Sequence, residues 1–224
     1  MPRRVAGVEE VAEAVARMAA AGRGAPGGRA ARAEADGRAL LVAISGIDAS
    51  GKGVIAAQLA AALERAGFRV ALIALDPWHH PARVRFAERD PGGHFFRNAF
   101  RFYELFERVI EPLRRDRAID LETTLLDLAT DASYPHQYRF ENVDVILLEG
   151  IFLLRRDLLS RYDLSLWIEC PFETALARAL SRNQEGKTEE QLRADYERIY
   201  FPAQRLHLDL DVPALHADFV VVNT

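Results

Sequence analysis

The sequence predicts an α/β fold: a parallel sheet flanked by helices on both faces. Three observations carry that expectation. Apolar, β-branched runs of strand length recur along the chain, and helical patterns lie between them. The length of 224 residues suits one large domain, or a domain with a small appendage, that can bury a proper core. Alternation of strand and helix implies right-handed crossovers, and ligands on such sheets bind at the carboxyl ends of the strands.

Taken in order, residues 1–37 read as a helix and linker that pack on a main domain over 38–224. "VEEVAEAVARMAAAG" (8–22) is amphipathic, with Val8, Val11, Val15 and Met18 on one stripe, and the glycine-rich "GRGAPGGRAARAEADG" after it reads as a flexible joint. Three runs have the character of buried strands: "ALLVAIS" (39–45), "RVALIALD" (69–76) and "VDVILLEG" (143–150). "LSLWIE" (164–169) and "DFVVVN" (218–223) are two further candidates. "KGVIAAQLAAALERAG" (52–67) and "FETALARALSRN" (172–183) are the clearest helical patterns between them. This topology brings Ser45–Gly53, Asp76 and Glu149 to one sheet edge.

Composition excludes several classes of function. A net charge of -4 argues against a general nucleic-acid binder. No apolar run approaches the roughly 20 residues that cross a bilayer, so no membrane partner is expected. The single cysteine, Cys170, rules out an internal disulfide framework and points to a reducing cytoplasm, with the thiol read as a small core residue. Acidic residues early in the chain, Glu9, Glu10 and Glu13, speak against a presequence.

The most specific motif is "GIDASGKG", formed by Gly46, Ile47, Asp48, Ala49, Ser50, Gly51, Lys52 and Gly53 and running into Val54. It follows a predicted strand and opens a predicted helix, the context of a P-loop NTPase-type phosphate loop. Glycines let the backbone wrap an anion, the helix N-terminus stabilises it, and Lys52 adds a mobile positive charge. The pattern asks for Ser or Thr after the lysine, whose hydroxyl holds magnesium, and this chain has Gly53 instead. Water is the expected replacement, held by Asp76 or Glu149, with Ser50 as a second option. No Asn-Lys-x-Asp stretch is present for guanine, and "DPGG" (90–93) lies in a polar loop and reads as a turn, so ATP is the expected nucleotide.

Acidic residues close the second and third strands. Asp76 opens "DPWHHP", where a carboxylate can align a substrate hydroxyl or accept its proton. Glu149 ends an unbroken apolar run, where an acidic group would orient magnesium directly or through water. His79 and His80 are adjacent and diverge, which disfavours a metal pair and leaves substrate contact or loop surface. Arg178 and Arg182 are four apart on one helical face and precede a new helix from Thr188 with Glu190 and Gln191 in its first turn. Helix, short loop and helix over about 178–200 suit a lid that stabilises charge on a transferring phosphoryl group.

With these residues in view, the chain resembles the uridine kinase and phosphoribulokinase family of P-loop kinases over roughly 38–224. The resemblance rests on "GIDASGKG", "ALDPWHHP", "AFRFYELFERVIEPLRRDR", "VDVILLEGIFLL", "RYDLSLWIECPFETALARALSRN" and "YFPAQRLHLDLDVPALHADFVVVNT" in that order. It implies ATP- and Mg2+-dependent phosphorylation of a small-molecule hydroxyl, most naturally that of a nucleoside, under a helical lid. By the same resemblance Asp76 binds the acceptor and acts as base, Glu149 lies near magnesium, Lys52 is the phosphate-loop lysine, and Arg178 and Arg182 are lid arginines. Asp127 in "LLDLATD" takes the place of an acceptor-binding aspartate.

Departures from the family pattern bear on the acceptor. Leu126 and Leu128 stand where aromatic residues flank that aspartate, and Asp131 falls where a base-stacking histidine is expected. Trp78, Tyr103, Tyr134 and His136 are the aromatic alternatives, and Asn183 replaces a lid aspartate. Trp78, His79 and Tyr103 therefore join Asp76 and Asp127 as candidate substrate contacts. Pantothenate, glycerate or a sugar stay open as acceptors, as does a non-catalytic ATP-binding protein. A homo-oligomer is also left open.

Overall fold

In a computed structural model, residues 2–5, 7–21, 37–183 and 186–223 are described. The N-terminal part supplies β1 (Arg3–Val5) and α1 (Val8–Ala21). Then come β2 (Leu40–Gly46), α2 (Lys52–Arg65) and β3 (Val70–Ala74). A single turn at Asp76–Trp78 and another at Ala82–Arg85 lead to α3 (Pro91–Asn98). Three consecutive helical segments follow, Phe102–Leu105, Phe106–Ile110 and Glu111–Asp116. A hairpin of β4 (Ile119–Leu126) and β5 (Ser133–Phe140) comes next, then β6 (Val145–Gly150) and β7 (Leu164–Glu169). The chain finishes with α4 (Phe172–Arg182), α5 (Glu189–Asp195), a π-helical segment Tyr196–Tyr200, α6 (Phe201–Asp211) and β8 (Phe219–Val222).

Six strands form one sheet in the order β1-β8-β7-β2-β6-β3, every pair parallel. The long apolar runs follow from burial on both faces. Along β2, Leu41 and Ala43 face one core with Trp167 and Ile146, while Leu40, Val42 and Ile44 face a second core with Leu59 and Val11. Each alternate residue therefore has an apolar side to enter, and a polar residue on either face would need a partner. The stripe of α1 packs into the second core: Val8, Val11 and Val15 are buried, and Met18 is partly so. The predicted joint over 22–36 lies outside the described residues.

Three local features differ from the expectations. The segment Arg3–Val5 adds a sixth strand beside β8, too short to be seen as a run. "DPGG" is the start of a helix: Asp90 caps α3, accepting from the Gly93 amide at 3.2 Å, with Pro91 in the first turn where its missing N–H costs nothing. Cys170 is partly exposed at the end of β7 instead of lying in the core.

A candidate phosphoryl-transfer site at the sheet edge

The phosphate loop is built by the exit from β2 and the entry to α2. Gly46 ends the strand so close to its neighbours that a Cβ would lie 2.6 Å from Ser50 Oγ and 2.8 Å from the Ile168 carbonyl. Ala49 (φ 55°) and Gly51 (φ 89°) adopt the left-handed conformation that shapes successive amides into an anion-binding concavity. At Gly51 the left-handed backbone favours glycine, and a Cβ would also press on the end of the Asn223 side chain. Gly53 is the opposite case. A Cβ there meets nothing within 4 Å, and its backbone does not need the left-handed region.

The loop fits a phosphate. Ser50 Oγ is fully buried and has no hydrogen-bond partner, leaving an unused polar atom inside the loop. Lys52 is buried at the start of α2, with Nζ 4.0 Å from Asp48 Oδ1. Arg182 reaches the same oxygen at 3.9 Å, and the Tyr196 hydroxyl donates to Asp48 Oδ2. Burial works against ionisation of Asp48, but Lys52, the Tyr196 hydrogen bond and Arg182 together hold its carboxyl below the usual range. Asp48 is thus an internal anion held against the cations that a phosphate would use. Its own amide donates to Gln204 Oε1 at 3.2 Å, a contribution of α6.

Arg178 and Arg182, the two arginines expected in a lid, have different surroundings. Arg182 faces the cleft, whereas Arg178 lies at the loop's flank. There its NH1 approaches the Ser50 carbonyl at 3.5 Å and the Asn223 carbonyl at 3.3 Å. Asn223 Nδ2 donates to the Ser50 carbonyl as well, at 2.7 Å, so β8 and α4 brace one peptide of the loop. The helix after α4 begins with a capping box, Thr188 with Gln191, which satisfies two otherwise orphaned donors.

One cleft collects the remaining groups. It encloses about 120 Å³ and opens to solvent. Asp48, Asp76, His79, Arg182, Tyr196 and Gln204 line it, together with Arg85 and an apolar set that includes Phe95, Leu128, Ile151 and Tyr200. His79 is buried, and its Nδ1 donates to the Asp76 carbonyl at 2.6 Å, which leaves Nε2 as an acceptor. Burial pushes its pKa down. Glu149, opposite Ile44 and Ala74 in the sheet register, is driven up to about 7 by burial, relieved by Lys52 and reinforced by the charges of Asp76 and Asp48. Carboxylates crowded in this way fit a divalent cation. Magnesium would be held there by one or two carboxylates together with phosphate oxygens and water.

Three candidate substrate contacts lie outside the cleft lining. Trp78 is fully buried, donates Nε1–H to the Tyr138 hydroxyl at 3.0 Å and carries Arg101 over its ring, so it is core. Tyr103 is 64% exposed and does not line the cleft. Asp127 lies in the hairpin turn, where Oδ1 accepts from the Ala129 and Thr130 amides at 2.9 Å. It therefore shapes the turn and leaves the cleft to Leu128. Sequence reasoning in turn gave no site role to Arg85, Tyr196, Tyr200 or Gln204, although the last two lie in the stretch "YFPAQRLHLDLDVPALHADFVVVNT" that carries the resemblance.

Comparison with known proteins agrees with this architecture. The model for the methylmalonyl Co-A mutase-associated GTPase MeaB matches residues 9–82, the third of the chain that contains α1, the phosphate loop and β3. A putative fructose transport system kinase from Silicibacter sp. is 25% identical, with TM-score 0.67 over 91% of this chain and 98% of that one. A possible uridine kinase from Bacillus stearothermophilus superposes with TM-score 0.64 at 18% identity, over 95% and 99% of the two chains. A D-glycerate 3-kinase from Cryptococcus neoformans gives 0.61 at 15% identity, over 93% and 89%. The chain therefore has a P-loop NTPase-type fold, and the three solved structures named above are described as kinases or possible kinases.

Proposed function

We propose that this protein is an ATP-dependent small-molecule kinase. The observation that carries the reading is the shared cleft: Asp76 lines it together with Asp48 and Arg182 of the phosphate-binding side. A protein that only bound nucleotide would have little use for an acceptor-side carboxylate facing its phosphate loop. In the reaction, the acceptor oxygen forms a bond to the γ-phosphorus while the bond to the β–γ bridging oxygen breaks and ADP leaves. Asp76 aligns the hydroxyl and takes its proton. His79 Nε2 offers a second acceptor beside it. Lys52, the loop amides and Arg182 stabilise charge on the transferring group, and Arg182 and Tyr196 close the site against water. Magnesium, held through Glu149 and Asp76, would neutralise phosphate charge.

A nucleoside acceptor, which the resemblance to uridine kinases implies, has less support than a hydroxyl acceptor in general. The aromatic groups available for a base are Tyr196, Tyr200 and Phe95, not those first named from the sequence. Assay of ATP and magnesium with nucleosides, pantothenate, glycerate and sugars tests the reading. Turnover of one of them, lost in Asp76→Asn, supports it.

The MeaB match favours a second reading, hydrolysis of GTP. The absence of an Asn-Lys-x-Asp stretch weighs against it. Preferential GTP binding with free phosphate released in the absence of any acceptor would establish it instead.

A further inference from the structure

We propose that Arg85 selects an anionic acceptor, a hydroxylated compound bearing a carboxylate or phosphate, in the cleft occupied by Asp76. This deepens the kinase reading and rests on it. Arg85 is only 6% exposed yet lines the cleft. Its two hydrogen bonds, to the His80 carbonyl at 2.9 Å and to Asp131 Oδ1 at 3.1 Å, both come from NH1. The remaining guanidinium donors, on Nε and NH2, have no hydrogen-bond partner among the described residues, and Cζ lies 4.9 Å from the Phe86 ring centroid. NH1 is thus an anchor that holds the planar fork in place, leaving an edge suited to two parallel hydrogen bonds with an oxyanion.

A second donor points the same way. Gln204 is 2% exposed and shares the cleft wall. Its Oε1 must accept from the Asp48 amide, which fixes the side-chain orientation and leaves Nε2 buried with no partner. A buried donor without an acceptor is destabilising, and a bound oxyanion or hydroxyl oxygen would relieve it. The other cationic group lining the cleft, Arg182, is turned to Asp48 at 3.9 Å on the phosphate-loop side. The cleft therefore presents hydrogen-bond acceptors, Asp76 and His79 Nε2, for a hydroxyl. Uncommitted donors, from Arg85 and Gln204, are left for an anion.

The alternative for Arg85 is a purely structural pair with Asp131, which also accepts from the Ala82 amide and so fastens the hairpin turn to the Pro81 turn. Removing each partner separates the two roles. The probes are matched pairs: glycerate with glycerol, pantothenate with pantothenol, and ribose 5-phosphate with ribose. The first two pairs report a carboxylate and the third a phosphate. Each is measured by calorimetric binding with a non-hydrolysable ATP analogue and magnesium, and by ADP formation with ATP. The expected result is at least a tenfold preference for one charged member over its neutral partner. Arg85→Met abolishes that preference by weakening binding and raising KM, with kcat less affected, Arg85→Lys restores part of it, and Asp131→Asn keeps it. Equal use of charged and neutral members, no binding of any charged member, or equal loss in Arg85→Met and Asp131→Asn overturns the proposal. Binding of a charged member without ADP formation would leave the anion site standing and remove the kinase reading. Phosphorylation of a neutral member in preference would do the reverse.

Discussion

The hydroxyl of Tyr196 donates to Oδ2 of Asp48, so the segment Tyr196–Tyr200 is tied to the phosphate loop through a carboxylate that also faces Lys52 and Arg182. A hydrogen bond to a charged group is worth about 1.5–3 kcal/mol net. Tyr196→Phe should lower unfolding free energy by an amount in that range and speed amide exchange in residues 189–200. Chemical denaturation and hydrogen exchange measure the two effects. Unchanged exchange with lowered stability would mean the bond supports the core and not the lid.

Gly53 is not required by the backbone, whereas Gly51 is. Gly53→Ser meets open space and replaces the poorest non-proline helix former, so it should preserve nucleotide binding and stabilise α2 by roughly 0.5 kcal/mol. The new hydroxyl should also tighten magnesium binding in the presence of ATP. Gly51→Ala places a Cβ at φ 89° and displaces the Asn223 side chain that braces the loop, and should abolish nucleotide binding. Titration calorimetry of both variants tests the contrast, and loss of ATP binding in Gly53→Ser would contradict it.

Glu149 gives the free protein a pH dependence. Its folded pKa, about 7, lies above the ordinary carboxyl value of 4.5. The native state therefore holds a proton that the unfolded chain has released across that window, and stability falls as pH rises from about 4.5 to about 7. The full cost of ionisation is on the order of 3 kcal/mol. Glu149→Gln should remove that slope, making the protein more stable than the parent at pH 8 in chelator while weakening magnesium–nucleotide binding. Thermal unfolding at pH 5 and 8 checks the sign. A parent protein that gains stability over that interval through this residue would refute it.

Trp78 should report on folding and not on substrate. Trp78→Phe removes the bond to the Tyr138 hydroxyl in a closed core, at a cost of roughly 1–3 kcal/mol. KM for any acceptor should stay within twofold of the parent value. A selective rise in KM would return the residue to the cleft.

The sheet and the loop were legible because they depend on local pattern. Strands such as Leu164–Glu169 are apolar on both faces, and Gly51 and Lys52 sit where strand gives way to helix. The acceptor side was read less well, since a motif places a backbone segment but not the direction of its side chains. Trp78 follows Asp76 by two residues yet turns into the core, while Asp127 is consumed by its own turn. The hairpin Ile119–Leu126 with Ser133–Phe140 escaped because charged and polar residues interrupt it on an exposed face. Arg85 comes from a segment without any catalytic pattern, and Gln204 from a quoted stretch that assigns it no role; both meet the site only in three dimensions.

Transfer of label from γ-labelled ATP to an acceptor, in parent and Asp76→Asn proteins, tests the central claim that Asp76 and the phosphate loop form one phosphoryl-transfer site. General-base and positioning losses of this kind amount to about 10²–10⁴-fold. The account predicts labelled acceptor in the parent, a fall of that order in the variant, and ATP-analogue affinity unchanged. Full transfer by Asp76→Asn, or label appearing only as free phosphate with every acceptor, would contradict it.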